Sequence, residues 1–91
     1  MSSFRVAAVV TLRRSIADVQ GTTVEQALHI IGFPRIEHVR IGKYIEMNVV
    51  AASAEEARAY VEEACRRLLA NPVIEDYRVT EVEPVAELQV G

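Results

Sequence analysis

The sequence predicts an α+β fold, a two-layer sandwich in the order β-α-β-β-α-β with two helices on one face of an antiparallel sheet. Three observations predict it. Extended apolar runs stand near both ends of the chain and in its middle. Two segments with helical apolar spacing each open on a capping box, Thr22/Glu25 and Ser53/Glu56. A glycine break at Gly42-Lys43 divides the middle run in two, as a hairpin requires. At 91 residues the chain is one domain, 1–91, with a core over about 4–82 and a tail over 83–91. The pattern leaves the strand order open; the ferredoxin-like order is one candidate.

Phe4–Leu12 reads as the first strand. Phe4, Val6, Ala8, Val10 and Leu12 share one face, and Ala7 and Val9 keep the middle of the other face apolar. Arg13–Gly21 is a loop with Asp18 and Gly21 as turn residues. Arg13 and Arg14 read as solvated charges, because no glycine-rich phosphate loop surrounds them. The first helix begins near Thr22 and buries Val24, Ala27, Leu28 and Ile31. Gly32 fits its C′ position, and Pro34 prevents its resumption.

The middle of the chain reads as a β-hairpin, with Ile36–Ile41 and Tyr44–Val50 as its arms. Gly42 supplies the left-handed backbone of a tight turn. Arg40, Gly42, Lys43 and Glu46 are grouped at its tip and flanks; the pattern alone reads them as a turn with solvated charges, and the family resemblance given below makes them the candidate partner-contact residues. The second helix follows Ser53, with Ala57, Tyr60, Val61, Ala64, Cys65 and Leu68 as its apolar stripe. Asn71 and Pro72 stop it. The last strand runs from about Ile74 to Val82, Pro84 ends it, and Val85–Gly91 shows no period.

Two helices on one face leave the opposite sheet face open. Ala7, Val9, Val50 and Val82 place apolar atoms there, which predicts a homo-oligomer or docking onto a larger protein.

Composition excludes several functions. Ten basic against thirteen acidic side chains give a net charge of −3, against a general nucleic-acid binder. No apolar run reaches the ~20 residues of a membrane helix. Met1–Arg5 lacks the layout of a secretory signal, so a cytoplasmic location is expected. The single cysteine, Cys65, excludes an intrachain disulfide and reads as a small core residue. His29 and His38 have no companions at metal-ligand spacing, so no metal site is expected. No catalytic constellation stands out. An acylphosphatase-like reading, suggested by Val19-Gln20-Gly21, fails because Glu25 stands where that family places its phosphate-binding arginine. An RNA-recognition module would need aromatics on its central strands, and the first strand has only Phe4. A small-molecule-binding regulatory domain of ferredoxin-like type remains as the alternative.

Arg40-Ile41-Gly42-Lys43-Tyr44-Ile45-Glu46, followed by Leu68-Leu69-Ala70-Asn71-Pro72-Val73-Ile74-Glu75-Asp76-Tyr77, resembles the PurS family. The likeness includes Asp18, Gly21, Leu28 and Gly32 and extends over roughly residues 4–82. It departs at Arg13-Arg14 and Val19, where the family commonly has Lys-Pro and a proline. The resemblance implies a small, non-catalytic subunit of phosphoribosylformylglycinamidine (FGAM) synthase in purine biosynthesis. That complex converts formylglycinamide ribonucleotide (FGAR) to FGAM with ATP, magnesium and glutamine. The implied partners are a second copy in a dimer or tetramer, the synthetase subunit PurL and the glutaminase subunit PurQ. The implied role is to hold the two larger subunits together so that ammonia passes between them. No cofactor is expected on this chain.

Overall fold

A computed structural model describes residues 1–85. The chain runs β1 (Ser2–Leu12), α1 (Val19–Ile30), β2 (Lys43–Ala51), α2 (Ala54–Ala64), a π-helical turn (Cys65–Leu69) and β3 (Glu75–Pro84). The last residues of the expected C-terminal tail, 86–91, lie outside the described part. The class is α+β, an antiparallel sheet with two helices, as the sequence predicts. Among the described residues the sheet has three strands in the order β2-β1-β3, with β1 antiparallel to both neighbours.

β1 is central because it can be buried on both sides. Val6, Ala7, Ala8 and Val10 are all fully buried. Phe4, Val6 and Ala8 pair with Val49, Met47 and Ile45 on one side, and with Pro84, Val82 and Val79 on the other. Across that face lies α2, whose Ala57, Val61 and Cys65 complete the core. A bulge at Ala7/Ala8 shifts the β1–β3 register and lets the Thr80 hydroxyl donate to the Ala7 carbonyl at 3.3 Å. The second cap forms at Ser53: Glu56 N–H donates to Ser53 Oγ at 3.1 Å, and the Glu56 carboxylate reaches back one residue past the N-cap to accept from Ala52 N–H at 2.9 Å, a shifted form of the expected box.

Five expectations are corrected. Helix α1 starts earlier than Thr22, because the Asp18 carboxylate caps it by accepting from Gly21 N–H at 2.8 Å. Glu25 is then no capping-box partner; it accepts from Val39 N–H at 3.0 Å instead.

The hairpin does not close. Residues 36–42 are irregular, and they stand where the second strand of the β-α-β-β-α-β order was expected. Gly42 does not take a positive φ, so the chain runs through it without reversing. It is glycine for another reason: a Cβ there would lie 2.7 Å from the Val10 carbonyl oxygen. Gly32 does take the left-handed conformation, with φ 111°, and ends α1 as predicted.

Among the described residues only α2 covers the sheet. α1 projects from it with residues 33–42 as an arm, and Gly21 is its one buried residue. The radius of gyration is 17.1 Å, against about 12 Å for a compact chain of this length.

The open sheet face is polar, not apolar. Val82 belongs to the core side, packed on the α2 cluster. Val50 lies exposed at the rim, and Arg5, Tyr44, Glu46, Asn48, Arg78, Glu81 and Glu83 surround Ala7 and Val9. The exposed apolar surface has moved to the arm, on Val19, Ile30, Ile31, Phe33 and Ile36.

The end of α2 also departs from its period. Ala70 N–H reaches back five residues to the Cys65 carbonyl at 2.9 Å, which defines the π turn. The extra residue rotates Leu68 outward, to 82% exposure, and brings Leu69 and Ala70 toward the core. Tyr60, also assigned to the stripe, is exposed as well. Val61→Ala should therefore cost about 2 kcal/mol of stability. Leu68→Ala should stay within about 0.5 kcal/mol. Denaturant midpoints of the two variants check this, and equal losses would contradict the π-helical register.

Candidate partner-contact site

The base of the arm is built by two segments that cross between α1 and the sheet. Residues 13–18 leave β1, and residues 39–42 return to β2. Asp18 sits between them and is the one buried charged side chain among the described residues. Its carboxylate accepts from Gly21 N–H at 2.8 Å and from Ile41 N–H at 2.7 Å. These backbone bonds, to Gly21 first and Ile41 second, hold the carboxyl below the usual carboxylate range. Gly21 has no room for a Cβ, which would run into the Val39 carbonyl. Further out, the His29 ring nitrogen Nε2 donates to the Ile36 carbonyl at 2.7 Å, so that histidine has a structural bond within the arm. His38 is exposed at φ 58°.

The four candidate residues do not form one cluster. The Arg40 guanidinium donates to the carbonyls of Arg13 at 2.9 Å and Ile16 at 3.0 Å, so it clamps the outgoing loop. Gly42 lies against the end of β1. Lys43 opens β2, with its Nζ 3.8 Å from the Glu75 carboxylate. Glu46 is on the open sheet face, paired with Arg5. The absent hairpin explains this separation: without a reversal at Gly42, residues 40 and 43–46 point to different neighbours.

Sequence reading missed two features. One is the full role of Asp18, whose signal was the N-cap preference for Asp immediately before a helical run. The other is the cluster around Arg5. Its guanidinium contacts Glu46, Glu81 at 3.1 Å and Glu83 at 3.7 Å, and the Tyr44 hydroxyl lies 3.2 Å from Glu46 and 3.3 Å from Glu81. The alternation of Glu81 and Glu83 was its signal, but the pairing needed the strand register. One cation against three carboxylates leaves this patch with a net charge of −2.

Among the described residues no three His, Cys, Asp or Glu side chains are placed to hold a metal ion. The glutamates around Arg5 already share a cation and do not fit magnesium. Burial pushes the Cys65 thiol up, which keeps it protonated within the core. Among the described residues no helix is long and apolar enough to cross a membrane. A cleft of about 870 Å³ opens where the arm parts from the sheet, between Asp18, Thr22 and Glu25 on one side and Val9, Thr11 and Arg78 on the other.

These features define a small antiparallel α+β domain carrying a projecting helical arm. The PurS family model, described as phosphoribosylformylglycinamidine (FGAM) synthase, matches residues 5–83. The PurS subunit of Bacillus subtilis is 42% identical over 84 residues, spanning 92% of this chain and 99% of that one. PurS of Methanocaldococcus jannaschii superposes with a TM-score of 0.80 at 31% identity, over 91% of this chain and 99% of the other. A chain of the PurLQS structure from Thermotoga maritima superposes at 0.79 with 35% identity, over 93% and 100%. The chain belongs to the PurS family of FGAM synthase, as the two sequence motifs predict.

The lowered Asp18 pKa fixes the sign of an acid effect. Its contribution to stability is complete above the unfolded carboxyl pKa of about 3.9 and is lost as pH falls through the lower folded value. Thermal midpoints followed below pH 5 should decline more steeply for the wild type than for Asp18→Asn. Parallel declines would show that the carboxylate's charge is not what the two amides hold.

Proposed function

We propose that this chain is the small, non-catalytic subunit of a multi-subunit FGAM synthase in purine biosynthesis. It associates with itself and holds a PurL-like synthetase against a PurQ-like glutaminase, so that ammonia released from glutamine reaches the ATP-consuming site that converts FGAR to FGAM. The single observation that carries this reading is the arm. Ile30 and Ile31 are 84% and 68% exposed, and Phe33 and Ile36 lie beside them, on a helix that its own sheet does not cover. Apolar surface of this kind needs a second chain. The PurLQS assembly of the Thermotoga maritima relative supplies a precedent for larger partners.

Self-association through the arm fits the chemistry of both surfaces. Among the described residues the outer edge of β2 carries no neighbouring strand, and Ile45 and Met47 beside it are only half-buried. Residues 36–41 have the composition of a strand but no ladder of their own. The arm of a second copy, laid along this edge with its α1 beside α2, completes four strands and two helices. The sandwich read from the sequence is then assembled from two chains. Arg40 and Gly42 shape the base of the arm, while Lys43 and Glu46 meet the larger subunits, Glu46 from within the acidic patch. A shared assembly of soluble subunits suits the cytoplasm.

Two measurements test these statements. Ile31→Glu should weaken self-association at least about tenfold in dissociation constant by sedimentation velocity, without loss of the chain's circular dichroism. In reconstituted FGAM synthesis with cognate synthetase and glutaminase, glutamine-driven turnover should require this chain, while ammonium-driven turnover persists without it. Equal glutamine-driven rates with and without the chain would remove the bridging role. They would turn attention to the cleft as the ligand site of a regulatory domain.

A further inference from the structure

We infer that Asp18 and Arg40 form a lock that holds the arm open and so commits it to a second copy instead of to its own sheet. This rests on the self-association reading. The need for a lock follows from concentrations. An arm tethered to its own sheet by a short connection meets it at an effective concentration in the millimolar range. A second copy at micromolar concentration competes at a disadvantage of about a thousandfold, unless the geometry of the connection forbids closure.

The geometry does forbid it. To lie on its own β2, the segment ending at Ile41 must reverse at Gly42-Lys43. Ile41 N–H is instead held at 2.7 Å by the Asp18 carboxylate, which also caps α1. The turn therefore cannot form without breaking a part-buried charge-assisted hydrogen bond. Arg40 binds the second crossing segment to the first through the Arg13 and Ile16 carbonyls. Glu25 fixes Val39 on the helix side at 3.0 Å. Both crossing segments are thus tied to each other, and neither can swing alone. The fit is close: the Val39 carbonyl occupies the space a Cβ on Gly21 would need. Gly42 has the conformational freedom for a reversal but keeps an ordinary negative φ, as the lock requires.

The test uses the full chain, with Asp18→Asn and Arg40→Ala made singly and together. Sedimentation velocity gives the dissociation constant, and small-angle scattering coupled to size exclusion gives the radius of gyration of the monomer. Each variant should dissociate about tenfold more readily or beyond. Its monomer should contract from the open 17.1 Å toward about 12 Å, with circular dichroism retained. Unchanged dissociation constants in the variants, or monomers that stay as extended as the open chain, would overturn the lock. If Asp18→Asn fails to fold, Arg40→Ala decides alone, since it leaves the buried carboxylate in place. A wild-type chain that sediments as a monomer at every concentration overturns the self-association reading itself, and the lock with it.

Discussion

The structure depends on a shortage of cover. One helix, α2, lies across three strands, and it can bury only one face of them. A chain of this size cannot enclose a second apolar layer without more material. Two consequences follow. The uncovered sheet face has to be wet, and it is: Arg5, Arg78 and the glutamates of β2 and β3 surround the buried Ala7. The other apolar helix has no surface of its own to lie on, so it projects with its isoleucines exposed. That exposed apolar surface is what the proposed self-association would cover.

What was legible in the sequence follows the range of the interactions. β1 was readable almost to the residue, because alternation and capping are local signals. The Ser53/Glu56 box and the Gly32 stop were readable for the same reason. The hairpin was not. Gly42 has the sequence signature of a turn, yet its role is steric, against the Val10 carbonyl, and a close approach leaves no local mark. The start of α1 was misplaced because Thr22/Glu25 also has the form of a capping box. Asp18 prevailed because its carboxylate bonds a residue 23 positions away as well as the helix amide. Arg40, Lys43 and Glu46 were grouped on a shared hairpin tip, and that tip does not exist in the single chain. The family was legible where the fold in detail was not, because motif likeness does not require knowing what each residue touches.

The π turn is a second case of long-range demand overriding period. An uninterrupted α-helix from Val61 would turn Leu68 into the core and Leu69 away. The wider turn inverts that choice and ends the helix with Ala70 buried. The Asn71 side chain then accepts from Val73 N–H at 3.0 Å, and the Arg13 guanidinium donates to the Pro72 carbonyl at 2.7 Å. The start of β3 is thereby tied to the end of β1, next to the base of the arm. The second family motif, Leu68–Tyr77, is in this structure the device that brings the last strand into register.

The charge distribution separates two kinds of contact. A polar sheet face with a net negative patch offers little apolar area, and exposed ion pairs contribute only about 0–1 kcal/mol each. Such a face suits the rim of an interface and the choice of partner, not the main source of association energy. The arm is the reverse, with large apolar side chains and few fixed charges near its tip. On the reading proposed above, self-association belongs to the arm, and Glu46 with its neighbours to contacts with larger chains. A small subunit with its apolar arm engaged by a copy of itself keeps its acidic faces outward. In the proposed assembly it then presents two related surfaces at once, as a bridge between two different enzymes requires.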